Sequence, residues 1–145
     1  MLGANGVAVD GAGNIYVTGF ETSDDEGSNI WIRKLDPGGN EIWTRTYNGS
    51  AGIEDEGRAV AVDGEGNVYV AGFETPENEE PDIWARKYSP DGTPLWTETH
   101  DGPVGYIDGA NAVTLDPDGN LLVTGYETVG GEGFNIWTRK YRLFD

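Results

Sequence analysis

The chain says nearly the same thing three times. "VDGAGNIYVTGFET" begins at Val9, "VDGEGNVYVAGFET" at Val62 and "LDPDGNLLVTGYET" at Leu115, so that Asp10, Asp63 and Asp116 stand 53 residues apart. A period of that length limits the fold to supersecondary units that repeat, each covering its apolar faces only against its neighbours. Within the repeat from Arg58 to Ala110, four period-two runs stand between turn signals: Ala59 to Val62, Val68 to Phe73, Ile83 to Tyr88 and Leu95 to Thr99. The first two are apolar on both sides and read as strands buried on both faces; the last two read as partly buried.

The turns follow from the same text. Asp63-Gly64-Glu65-Gly66-Asn67 joins the first two runs with glycines that tolerate positive φ and an Asp able to bond its own backbone. Ser89-Pro90-Asp91-Gly92 joins the last two, with proline presetting φ and glycine taking the reversal. Longer acidic loops make the remaining links. Four antiparallel strands in a meander, repeated about every fifty residues, are the mark of propeller blades. The reading is an all-β chain with blade one at residues 5–57, blade two at 58–110 and an incomplete blade three at 111–145 that lacks its outer strand. Only Met1 to Ala4 precede the first strand, too little to supply the missing one. Closed propellers use four to eight blades, so the expected closure is a homodimer of six, with a fragment of a larger repeat protein as the alternative.

Ala59-Val60-Ala61-Val62-Asp63 together with Gly66 to Phe73, recurring as Gly6 to Phe20 and Ala112 to Tyr126, resembles the bacterial and archaeal β-propeller repeats of the SBBP type. The resemblance covers essentially the whole chain. It implies a propeller fold, and an extracellular or cell-surface setting within larger secreted proteins. The inner hairpin is also similar to the NHL repeat, but the longer period and the Ile-Trp-x-Arg-Lys third strand depart from that pattern, so RNA binding of the NHL type is not carried over.

Charge narrows the function classes. Nine basic residues against 26 acids leave a net charge of −17, a field that repels nucleic acid and anionic membrane surfaces and favours cations or basic proteins. No apolar run approaches the roughly 20 residues of a spanning helix, no leader segment stands before the repeats, and without cysteine there is no thiolate chemistry. Most of the acids fall in the longer loops, among them Asp24, Asp25, Glu26, Glu79, Glu80, Asp82 and Glu132, and should gather on one rim. There Glu21, Glu74 and Glu127, each followed by threonine, are expected to ring the channel mouth, with Asp55 and Asp108 from the loops between blades. The functional reading is a scaffold offering this rim to a cation or a basic protein; the bland one is local capping of backbone N–H groups.

Other candidates are weaker. Asp116, Asp118 and Asn120 open like a calcium loop but lack its remainder, and read chiefly as a hairpin turn; no other cofactor is implied. Trp31, Trp84 and Trp137 on the third strand, with Trp43 and Trp96 on the fourth, either fill the wedge between blades beside Arg33, Arg86 and Arg139 or stack on a sugar, which would make the chain a lectin-like module. His100, the single histidine, has Asp101 beside it but no nucleophile elbow nearby, so the chain reads as no enzyme.

Overall fold

The computed structural model describes residues 1–24, 27–49, 51–102, 106–131 and 133–142. They form eleven strands: β1 Leu2–Val9, β2 Ile15–Thr22, β3 Ser28–Leu35, β4 Glu41–Tyr47, β5 Glu56–Val62, β6 Val68–Glu74, β7 Asp82–Tyr88, β8 Pro94–His100, β9 Gly109–Leu115, β10 Leu121–Val129 and β11 Gly133–Tyr141. Three antiparallel meanders result, β1 to β4, β5 to β8 and β9 to β11, with no helix among the described residues and none able to cross a membrane. Leu2 to Ala4 do not stand apart from the first strand. They extend β1 inward, Leu2 opposite Glu21 and Gly3 opposite Phe20.

A bulge at the same repeat position marks each innermost strand, between Ala4 and Gly6, between Gly57 and Ala59, and where Ala110 and Ala112 pair across Gly125 and Thr124. It explains a recurring glycine. A Cβ at Gly19, Gly72 or Gly125 would lie 1.8, 1.9 or 2.0 Å from the carbonyl oxygen of Gly3, Glu56 or Gly109, so the innermost strand closes on its partner only where the side chain is a hydrogen. The bulged residues turn toward the next sheet. Asn5 Nδ2 donates to Glu56 Oε1 at 2.6 Å and to Gly57 O at 3.0 Å, and Arg58 Nη1 donates to Asn111 Oδ1 at 3.1 Å.

The sheets pack face to face through two apolar seams. In the first, Tyr16, Ile30, Ile32 and Trp43 meet Val60, Val68, Val70, Trp84 and Tyr88; in the second, Tyr69, Ala71, Ile83 and Ala85 meet Ala110, Leu121, Val123, Trp137 and Tyr141. The first sheet also holds the β7–β8 hairpin by its outer strand: Trp43 Nε1 donates to Pro90 O at 3.0 Å and Arg45 Nε to Gly92 O at 2.9 Å. Among the described residues, only the middle sheet has a neighbour on both sides. Its β6 is buried from Val68 to Phe73, as the sequence predicts, whereas Val7 and Val9 of β1 are 71% and 63% exposed. These valines stand exposed in the single chain because the face that carries them has no sheet against it.

Candidate functional site

Of the acids predicted to share one rim, Asp24, Glu79 and Glu80 are exposed in loops, Asp55 and Asp108 are buried loop anchors, and Glu74 and Glu127 stand in the seams. Asp55 is fully buried, its Oδ2 accepting the Gly49 N–H at 2.6 Å and its Oδ1 the Thr75 N–H at 2.9 Å. Burial raises its pKa above the usual carboxylate value. Asp108 repeats the arrangement one sheet further on, accepting Gly102 N–H at 2.7 Å and Thr128 N–H at 2.9 Å. The threonines of the Glu-Thr pairs complete it, Thr75 Oγ1 donating to Glu54 O and Thr128 Oγ1 to Ile107 O. Each aspartate thereby fastens the loop leaving one sheet to the strand end of the next, and the threonine was the sequence signal for it.

Glu74 and Glu127 each meet the outer strand of the neighbouring sheet across a seam. Alternation along β6 puts Val68, Val70, Gly72 and Glu74 on the face that meets the first sheet, and there Tyr47 Oη on the outer strand β4 donates to Glu74 Oε2 at 2.7 Å. Burial raises the pKa of Glu74, and the Tyr47 hydrogen bond opposes the rise. Burial also lifts the Tyr47 phenol, to about 12, with the Glu74 carboxylate adding to it. Glu127 stands in the same relation to His100 of β8, Nε2 to Oε2 at 3.4 Å. The signal that places both glutamates in a seam is the period of two they share with Val68 and Val70 on β6 and with Leu121 and Val123 on β10. Glu21 occupies the same position on β2, on the uncovered face of the first sheet.

Asp82 and Asp101, which the sequence does not single out from the other acids, join Asp108: one carboxylate oxygen from each lies within 4.8 Å of the other two. Asp82 is 7% exposed, and its pKa is raised to about 7, by burial first and then by the charges of Asp101, Glu79, Asp108 and Glu74. Asp25, Glu26 and Glu132 lie outside the described residues.

On the opposite side, Asp10, Asp63 and Asp116 organise the inner hairpins. Asp10 Oδ1 accepts the N–H groups of Ala12 and Asn14, and its Oδ2 accepts Asn14 Nδ2 and, at 2.9 Å, Tyr16 Oη. Asp63 does the same with Glu65, Asn67 and Tyr69. In the third repeat Leu122 replaces the tyrosine, and Lys140 Nζ approaches Asp116 Oδ2 at 2.5 Å instead. Asp116 Oδ1 accepts the N–H groups of Asp118 and Asn120, so the candidate calcium triplet is laid out as a hairpin turn.

Among the tryptophans, Trp43, Trp84 and Trp137 are buried between sheets, while Trp31 and Trp96 are half-buried. Trp84 packs on Tyr47 with centroids 5.1 Å apart and carries the Arg86 guanidinium at 5.2 Å. Trp137 packs on His100 at 5.0 Å and Trp96 on Tyr141 at 5.1 Å. Trp31, under Arg33 at 4.7 Å, sits on the uncovered face of the first sheet. His100 is thus engaged by a ring and a carboxylate, and among the described residues no serine hydroxyl bonds to it.

Residues 42–72 match the SBBP family, described as a beta-propeller repeat; the stretch runs from β4 of the first sheet into β6 of the second and includes one inner hairpin. Among solved structures, the chain is similar to a protein of unknown function from Bacteroides caccae, with 16% identity and a TM-score of 0.42 over 98% of this chain and 61% of that one. The chain therefore spans less than two thirds of that relative's length. No curated protein matches it.

Proposed function

We propose that the chain is a non-enzymatic scaffold that closes a six-bladed ring with a second copy of itself and presents its acidic loops to a cation or a basic protein. The observation that carries this is the pair of uncovered faces. Val7 and Val9 hold the repeat positions of Val60 and Val62, the residues with which the second sheet receives the first. Ile136, 89% exposed, holds the position of Ile30 and Ile83, which are buried where one sheet meets the next. One end of the chain thus carries the receiving surface of a seam and the other end the donating surface. Apolar side chains exposed in groups on a charged protein favour such contacts. Two copies set head to tail satisfy both ends through two contacts related by a two-fold axis, within the usual range of blade number.

Net charge of −17 per chain supports the class of partner for the loop side, since it disfavours anionic ligands. Light scattering coupled to size exclusion tests closure: the expected mass is about 31 kDa, twice the chain's 15.6 kDa. Val9→Asp, which places a charge on the receiving face, is expected to shift the species to a folded monomer. A wild-type chain that is folded, monodisperse and monomeric at millimolar concentration overturns the closure; an open-ended series of larger species does so too, because a head-to-tail contact that fails to close makes filaments.

A further inference from the structure

The second seam holds an arrangement of charge that the first one avoids. Asp82 opens β7, Asp101 follows β8 and Asp108 precedes β9, and one carboxylate oxygen of each falls within 4.8 Å of the other two. The corresponding residues of the first seam, one repeat earlier, are Asn29, Asn48 and Asp55. Two amides and one carboxylate there become three carboxylates here, and no lysine or arginine accompanies the added charge: every charged group acting on Asp82 is itself an acid.

Asp82 is the telling member. Its side chain is more than nine-tenths buried, points at the other two carboxylates and has no hydrogen-bond donor among the described residues. A carboxylate that far buried, beside other acids and without donor or counter-charge, is strongly disfavoured. In the first seam the matching oxygen, Asn29 Oδ1, is also buried without a hydrogen bond. The equivalent place in each seam thus holds an acceptor with no donor among the described residues, and only in the second is that place surrounded by negative charge.

We infer that Asp82, Asp101 and Asp108 bind one hard divalent cation, of the Ca²⁺ class, at the seam between the second and third sheets. Oxygens at opposite sides of a Ca²⁺ shell, at about 2.4 Å from the ion, stand about 4.8 Å apart, the span within which these carboxylates lie. Asp108 is oriented beforehand by the Gly102 and Thr128 N–H groups, one on each oxygen, which leaves a lone pair of each for the ion. Asp82 supplies a carboxylate that has no hydrogen bond among the described residues. Asp101 is exposed, so waters can complete the six to eight oxygens that Ca²⁺ takes. Three protein carboxylates suit Ca²⁺ better than Mg²⁺, which keeps most of its water and is generally held by one or two. Bound there, the ion would tie the start of β7 and the end of β8 to the start of β9. One chain provides all three ligands, so the inference stands apart from ring closure.

Isothermal titration of CaCl₂ into chelator-stripped protein tests it. The expected result is one equivalent bound per chain, an affinity at least tenfold weaker in Asp82→Asn, and no change in Glu41→Gln, an acid far along the first sheet. Asp101→Asn gives the same test at an exposed residue whose substitution leaves the core intact, with an expected loss of at least threefold. Asn29→Asp combined with Asn48→Asp should add a second equivalent at the first seam. Absence of binding at millimolar CaCl₂ overturns the inference, as does an affinity unchanged in both Asp82→Asn and Asp101→Asn, which would mark diffuse attraction by the acidic surface.

Discussion

Gly72→Ala isolates the contact on which every blade is built. The added Cβ would stand 1.9 Å from Glu56 O, 2.9 Å from its carbonyl carbon and 3.0 Å from Gly57 Cα. These are backbone atoms of a paired strand, so no side chain can swing away to relieve them. Restoring even 3.0 Å to the oxygen requires about 1.1 Å of separation between β5 and β6, which takes ladder hydrogen bonds of about 2.9 Å beyond bonding distance. Losing the pairs of Gly57 with Gly72 and of Glu56 with Phe73 removes roughly two net hydrogen bonds at about 1 kcal/mol each. Displacing the neighbouring core residues adds about 1–3 kcal/mol. The expected destabilisation is about 3–5 kcal/mol, a large share of what a domain of this size possesses. Gly64→Ala is the matched control: nothing lies within 4 Å of its added Cβ and its φ is not positive. There the substitution should stabilise by about 0.4–1 kcal/mol through the unfolded chain's lost freedom. Urea unfolding followed by tryptophan fluorescence measures both. If the two variants fall within about 1 kcal/mol of each other, the bulge does not force glycine at this position and the reasoning is wrong.

The seams and turns give further outcomes. Tyr47→Phe leaves the Glu74 carboxylate without its donor at a partly buried place, and unfolding should show a loss of about 1–3 kcal/mol, mostly recovered by Glu74→Gln in the same background; a double variant as unstable as the single one would count against that pairing. Asp10 is held down to about 2 from the usual 3.8, by the Asn14 side chain first and then by N–H groups and Tyr16. Because its folded value is depressed, its contribution is fully present above about pH 4 and is lost as pH falls through about 2. Asp10→Ala should therefore show its whole deficit at neutral pH and a narrowing one from about pH 4 downward, measured as urea midpoints across that range; a constant deficit would mean that the charge is irrelevant to the turn. Arg45→Ala should loosen the grip of the first sheet on the β7–β8 hairpin, detected as faster amide exchange from Ser89 to Thr93, since Arg45 reaches the carbonyls of both Asp91 and Gly92.

The period, the meander and the inner hairpins were legible because each depends on local chemistry that sequence displays directly. Asp63, Gly66 and Asn67 state their turn within five residues. The exposure of Val7 and Val9 in the single chain follows from the count of three blades, which leaves the two outer faces without a neighbouring sheet. The contact of Glu74 was written in its strand: counting by two from Val68 reaches Glu74 on the face that meets the first sheet. Tyr16 and Tyr69 read as plain core residues, while their hydroxyls close the Asp10 and Asp63 turns. That role is visible in the sequence only as a fixed offset between an acid and a tyrosine six positions on.

Where three copies agree, the agreement reports what any blade needs: the glycine under the bulge, the aspartate of the hairpin, the tryptophan of the seam. Chemistry particular to this chain has to lie where the copies differ. At the position of Asp82 the first and third repeats carry Asn29 and Asn135, and at that of Asp101 the first carries Asn48. Asparagine and aspartate are close in shape, so the fold accepts either, and the sheet geometry at the two seams is the same. What changes is charge alone. An amide can donate a hydrogen bond to the recurring buried aspartate and a carboxylate cannot, so the exchange costs stability unless something positive takes the amide's place. A neutral drift toward solubility would put new acids on the exposed loops, where they cost little. Placing one at 7% exposure beside two others is the kind of departure that a bound cation explains and surface charge does not.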